Sequence, residues 1–189
     1  MNLPIGLTLT RIVAVPLLIL FLISSSRVHA LIAAVIFVAA SLTDWLDGVL
    51  ARRRNQVTTL GTLLDPIADK LLVAAALVSL LTIDKVAGWV VVIIIGRELA
   101  VTGLRAVAAG VGVIVPASRL AKWKTVGQYV AVTMLILEKG IVSPGFHVAA
   151  TGVLWAALAL TVVSAVDYFY RFFLKADYRA IVPEEERWS

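Results

Sequence analysis

Cysteine is absent from this chain, which excludes disulfide cross-links, thiolate nucleophiles and cysteine metal centres. Histidine occurs only at His29 and His147, far apart and each flanking apolar runs, so a histidine metal site is not expected. Charge is scarce: Asp, Glu, Lys and Arg together make up 15% of the residues, too few for a conventionally solvated surface. No internal repeat is evident, which leaves an inverted-repeat transporter without support. No low-complexity linker interrupts the sequence. Met1-Asn2-Leu3-Pro4 lacks the basic start of a secretory leader and no small-residue cleavage site is clear, so the first apolar run is expected to be retained.

What the chain has in abundance is apolar side chains. They account for 61% of the 189 residues, and the mean hydropathy is +0.98, against roughly 45–50% apolar in soluble domains. The expectation is an all-α integral membrane protein forming a single domain over residues 1–189. A spanning helix needs about 20 mostly apolar residues, and six runs qualify: 8–26, 29–51, 62–82, 86–107, 121–138 and 146–170. Pro16 lies inside the first as a potential kink. The net charge of +5 and pI near 9.8 suit anionic lipid head groups or phosphorylated substrates rather than nucleic acid.

The basic residues also set an orientation. Arg11, the run Arg52-Arg53-Arg54, Arg105, Arg119, Lys122, Lys124, Arg171, Lys175, Arg179 and Arg187 fall on one side, and only Arg27, Lys85 and Lys139 on the other. By the positive-inside rule the first side is cytoplasmic, with both termini there. Tyr168, Phe169, Tyr170, Phe172 and Phe173 read as an interfacial anchor for the last helix.

Four aspartates stand out against this background. Asp44 and Asp47 are three apart near the end of the second run; Asp65 and Asp69 are four apart near the start of the third. Each pair shares a helix face, and the short connection makes the two helices antiparallel neighbours. Asp65 is a candidate cap for the third helix, with Pro66 tolerated in its first turn. Carboxylates at membrane depth are costly and are functional candidates by default. Alone, each would more often be a cap or a solvated group; four together repel unless cations neutralise them. Oxygen donors of this kind suit Mg2+ or Mn2+, one or two ions, alongside phosphate. Gly48 and Gly61 leave room for a ligand to approach, and Arg52, four residues after Gly48, can face a phosphate.

The full pattern is Asp-x2-Asp-Gly-x2-Ala-Arg-x8-Gly-x3-Asp-x3-Asp, through Asp44, Asp47, Gly48, Ala51, Arg52, Gly61, Asp65 and Asp69. It resembles the signature of the CDP-alcohol phosphotransferases, six-helix membrane enzymes that move a phosphate-linked group from a CDP-linked donor to an alcohol and release CMP. The resemblance implies that Asp44, Asp47 and Asp65 ligate metal as a two-ion centre, Mg2+ or Mn2+, with Asp69 both near the metal and acting as general base. It implies that Gly48, Ala51, Arg52, Thr58 and Gly61 contact the CDP moiety. Lys70, about 100° round the helix from Asp69, is expected to snorkel or pair structurally.

A second polar cluster bears on the acceptor. Arg97 and Arg105 lie eight apart on the fourth run, followed by Lys122, Lys124 and Thr125 at the start of the fifth. Two readings stay open for Arg97: an ion pair with Glu98 or another helix, or an anion pocket beside the aspartates. Lys122 and Lys124 are equally compatible with ordinary cytoplasmic-side charge. The segments 64–71, 97–105 and 122–125, with Asn2-Leu3-Pro4, Leu7, Thr8 and Arg11, resemble the bacterial phosphatidylglycerophosphate synthases. That resemblance implies CDP-diacylglycerol as donor, sn-glycerol 3-phosphate as acceptor bound by Arg97, Arg105, Lys122 and Lys124, a homodimer, and a bacterial plasma-membrane location. Thr8 and Arg11 are carried over as donor contacts, although Ile5 stands where the resemblance leads one to expect Asn. The alternatives are another acceptor (serine, inositol phosphate or phosphatidylglycerol) and, in a different class, a small cation transporter.

Overall fold

A computed structural model describes residues 3–54, 59–110, 119–141 and 143–175; at 3–9, 44–54, 59–66, 69, 119 and 174–175 only the course of the backbone is described. The described residues form six α-helices and no strand: α1 (Leu3–Ile23), α2 (Arg27–Arg54), α3 (Thr59–Thr82), α4 (Gly88–Gly110), α5 (Arg119–Glu138) and α6 (Pro144–Lys175). Each contains most or all of one of the six apolar runs, but several helices extend past them. α2 continues through the arginine run to Arg54, and α3 begins at Thr59 rather than at 62. Asp65 therefore lies inside α3 rather than at its cap, and Pro66 sits beyond the first turn. The apolar pattern stops where the polar motif starts, whereas backbone hydrogen bonding carries on through both. α1 likewise continues through Pro16.

Among the described residues α1 packs extensively on both α2 and α3, more than those two pack on each other; α5 pairs with α6, α4 lies on α6, and α2 touches α5. Leu18 and Leu22 of α1, Phe37 of α2, Leu72, Leu77 and Leu80 of α3, and Val132, Leu135 and Ile136 of α5 fill the centre. Small residues let the helices approach. Ala30, Ala33, Ala34 and Ala40 are buried on one face of α2, a spacing that keeps them in line. A methyl added at Gly127 of α5 would rest in ordinary contact, 3.6 Å, with the Cβ of Ala157 on α6, so small residues meet where these two helices pass.

The outward faces are also apolar. Leu20, Val35, Val92, Trp123, Val148 and Val166 are all exposed by more than 60%. Among the described residues, α6 over Pro144–Phe173 is the one helix long and apolar enough to cross a membrane by length and composition; the apolar stretches Thr10–Ile23, Arg27–Thr43 and Lys70–Thr82 are shorter. The aromatic cluster of α6 divides: Tyr170 and Phe173 are exposed, but Tyr168 and Phe172 are buried in the bundle, because a helix cannot present consecutive positions to one side.

The α1–α2, α3–α4 and α5–α6 turns meet at one end. Lys139 donates from its ammonium to the carbonyls of Leu22 (2.7 Å) and Ser24, placing a cation at the C-terminus of α1, whose own last turn has none. Burial, and then the charge of Lys85, hold Lys139 below the usual lysine pKa. Lys85 donates to Glu138 at 2.7 Å, and His147 lies 3.0 Å from the same oxygen. α3 ends in a Schellman-type turn: Lys85 N–H bonds Leu80 O and Asp84 N–H bonds Leu81 O, with Asp84 left-handed at φ 56°. Replacing Lys139 by Met should destabilise the protein by ~1–2 kcal/mol, as expected for a charged hydrogen-bond donor, and lower its thermal midpoint in detergent by a few degrees. An unchanged midpoint would show that Lys139 does not hold this end of the bundle.

Candidate functional site

The aspartate motif occupies the C-terminal part of α2 and the N-terminal part of α3. Asp44, Asp47, Gly48, Ala51, Arg52, Gly61, Asp65 and Asp69 all fall on helical backbone. Their side chains, and Thr58 altogether, lie outside the described residues, as does the side chain of Thr8 on α1. Arg11, one turn after Thr8, is buried within the bundle. Among the described residues no group of three or more His, Asp or Glu could hold a metal ion; the donor set of interest is the four aspartates.

Beside this motif is a cavity of about 920 Å3 lined from α2, α3, α4 and α5. Ser41 and Leu42 bring α2 to its wall within a turn of Asp44, and Lys70 brings α3 there one residue after Asp69. The other walls carry Arg97, Glu98 and Arg105 from α4 and Lys122 and Lys124 from α5. Val38, Leu42, Val126, Val130 and Met134 add apolar side chains to the lining from α2 and α5. All four cations read from the sequence as an acceptor site thus line one cavity, and Lys70 joins them. Among the described lining residues, Lys70, Arg97, Arg105, Lys122 and Lys124 face a single carboxylate, Glu98, an excess of positive charge that favours an anion in the cavity.

Arg97 is held in an ion pair and stands on the cavity wall at once. Its Nη1 lies 3.4 Å from Glu98 Oε1, while its Nη2 donates to Ser164 Oγ of α6 at 2.9 Å. Lys124 donates to the same oxygen of Glu98. These charges are well removed from solvent: the side chains of Arg97, Lys124 and Glu98 are 9%, 3% and 19% exposed, a depth at which an unpaired charge costs several kcal/mol. Ser164 in turn donates to Thr161 O, and Gln128 of α5 donates to Thr161 Oγ1 at 3.0 Å. A buried polar seam therefore ties α4, α5 and α6 behind the cavity. Arg105, nearer the surface, stands over the ring of Tyr168 at 5.6 Å, a cation–π contact that steers its guanidinium.

Sequence reasoning names Glu98 only as an ion-pair partner for Arg97, which the structure shows, and misses its bond to Lys124 together with Gln128, Thr161 and Ser164. Thr161, Ser164 and Tyr168 are buried and recur at intervals of three and four along α6. That polar stripe in an apolar helix is the available signal.

Comparison with known proteins bears on what such a site does. The family model for CDP-alcohol phosphatidyltransferase matches residues 1–163. A Bacillus subtilis (strain 168) protein named CDP-diacylglycerol–glycerol-3-phosphate 3-phosphatidyltransferase is 44% identical over 183 residues, covering 89% of this chain and 93% of the relative. Proteins of the same name from Rickettsia typhi and Sodalis glossinidius are 42% identical over 169 residues and 37% over 176, covering 89% and 90% of this chain and 95% and 94% of the relatives. Matched along most of its length by the family model and by these relatives, the chain belongs to the CDP-alcohol phosphatidyltransferase family.

Proposed function

We propose that the protein transfers the phosphatidyl group of CDP-diacylglycerol to sn-glycerol 3-phosphate, giving phosphatidylglycerol phosphate and CMP. The observation that carries this reading is the cation-rich cavity beside the aspartate motif. A phosphorylated acceptor matches Arg97, Arg105, Lys122 and Lys124 better than an uncharged alcohol does. The names of the relatives, each a CDP-diacylglycerol–glycerol-3-phosphate enzyme, point to the same substrates. The apolar lining contributed by α2 and α5 suits an acyl chain of the donor or lipid product.

In the reaction, the acceptor's free primary hydroxyl attacks the phosphorus bearing diacylglycerol. The new P–O bond forms as the P–O bond to CMP breaks, and Asp69 takes the hydroxyl proton. The donor set fits a hard divalent cation: Asp44, Asp47, Asp65 and Asp69 supply only carboxylate oxygen. They would hold two ions, Mg2+ or Mn2+, which when bound draw negative charge off the diphosphate. Gly48, Ala51, Arg52, Thr58 and Gly61 bind the CDP moiety, with Thr8 and Arg11 contributing from α1. The acceptor phosphate rests against the cations of α4 and α5.

The six helices span a bacterial plasma membrane as a single domain over residues 1–189, with the site and both termini at the cytoplasmic face, and the protein works as a homodimer. The exposed apolar side chains on all six helices and the positive-inside asymmetry support the membrane placement.

Purified protein in mixed micelles should release CMP from CDP-diacylglycerol with glycerol 3-phosphate and not with serine, inositol phosphate or phosphatidylglycerol. Activity with serine but not glycerol 3-phosphate would overturn the acceptor assignment. Chelation with EDTA should abolish turnover, and Mg2+ or Mn2+ should restore it; full activity in EDTA would remove the metal from the mechanism. Asp69→Asn should lower kcat by about 100-fold or more, the usual contribution of a general base, with helicity and thermal midpoint retained. A folded Asp69→Asn protein with near-normal kcat would refute the base assignment. Arg97→Met should raise KM for glycerol 3-phosphate by about 10-fold or more and leave KM for CDP-diacylglycerol nearly unchanged; equal effects on both would contradict an acceptor-side role.

A further inference from the structure

We propose that Glu98 is a positioning residue for the acceptor: its carboxylate holds Arg97 and Lys124 together as one preformed phosphate-binding pair. This rests on the reading of the cavity as the acceptor site. Glu98 is the one acidic residue among the described residues of the cavity wall, and at first sight it opposes an anionic ligand. Its contacts give it a different purpose. A single oxygen, Oε1, accepts from Lys124 of α5 and faces Arg97 Nη1 of α4. Two cations this deeply buried would repel each other and spread apart without a carboxylate between them.

The arrangement leaves hydrogen-bonding capacity on the guanidinium, which has five donors. Glu98 and Ser164 engage Nη1 and Nη2 of Arg97, while its Nε is buried without a hydrogen-bond partner among the described residues. Arg97 and Lys124 both line the cavity. Ser164 is itself fixed by donating to Thr161 O, and Thr161 by Gln128, so Arg97 is braced from α6 while Lys124 is braced through Glu98. The carboxylate therefore helps to set where the two cations point before the acceptor arrives. Preorganised donors of this kind spare the ligand the cost of ordering them.

The test is steady-state kinetics of Glu98→Gln against wild type, varying each substrate in turn, with thermal midpoints measured alongside. The substituted amide keeps the shape of the side chain but loses the charge that gathers the cations. We expect KM for glycerol 3-phosphate to rise by about 10-fold or more, the range for losing a charged hydrogen bond. KM for CDP-diacylglycerol should stay within about 2-fold. Glu98→Asp, which keeps the charge on a shorter stem, should fall between the two. An acceptor KM that is unchanged would overturn the proposal. One that drops would show that Glu98 competes with the phosphate instead of preparing its site. A loss of kcat with both KM values altered together, accompanied by a lower midpoint, would reduce Glu98 to a structural ion pair. If Glu98→Gln fails to assemble, Glu98→Asp carries the same comparison, since a normal acceptor KM with a displaced carboxylate is equally decisive. Wild-type acceptor preference separates the two levels. A wild type that ignores glycerol 3-phosphate defeats the functional reading, whereas a wild type that uses it beside an unaffected Glu98→Gln defeats only this inference.

Discussion

Charge in an apolar bundle has to be paired, and the pairing of Arg97, Glu98 and Lys124 is the constraint around which the cavity end of this molecule is arranged. α4 brings an arginine and a glutamate, α5 a lysine, and α6 a serine. Lys124 finds its carboxylate on another helix, and an isolated charge at that depth would cost several kcal/mol. Together they satisfy one another, and the position of each helix is fixed by the need to do so. α2 and α3 close the remaining sides of the cavity and carry the aspartate motif to its edge.

The opposite end obeys the same rule with different means. There the backbone needs partners, and side chains supply them. Lys139 reaches the last carbonyls of α1, while Lys85 and His147 meet on Glu138. Three turns are joined at this end, so that the bundle has two polar ends separated by a core of Leu, Val, Ile and Ala. Between them, apolar side chains point outward as well as inward, the pattern expected of helices whose solvent is hydrocarbon.

Much of this is legible in the sequence, for identifiable reasons. The six helices follow from long apolar runs, and the aspartate spacing identifies its helix faces because three- and four-residue intervals have only one meaning on a helix. That helix runs on through Arg54 and is already present at Thr59 escapes such a reading, because polarity marks where the apolar run stops and not how far backbone hydrogen bonding continues. Composition groups Tyr168 with its aromatic neighbours, yet its register turns it inward beneath Arg105. Lys124 reads as an acceptor contact or as a surface charge, and neither reading supplies its burial against Glu98, 26 positions earlier in the chain. A partner on another helix leaves no local trace. The carboxylate cluster itself is legible as a motif, while the contacts of its side chains are not something spacing can supply.

The crossing of α5 and α6 gives the cavity a ruler. At Gly127 an added methyl would sit 3.6 Å from the Cβ of Ala157, an ordinary contact, so the two helices stand one small side chain apart there. Lys124 stands on α5 one turn away, and Ser164 on α6 two turns beyond Ala157. The ammonium and the guanidinium that Ser164 braces are thus carried on either side of this narrow crossing. A side chain larger than alanine's at that crossing would change the reach of a site it never touches, by altering the calibre of the scaffold rather than its chemistry.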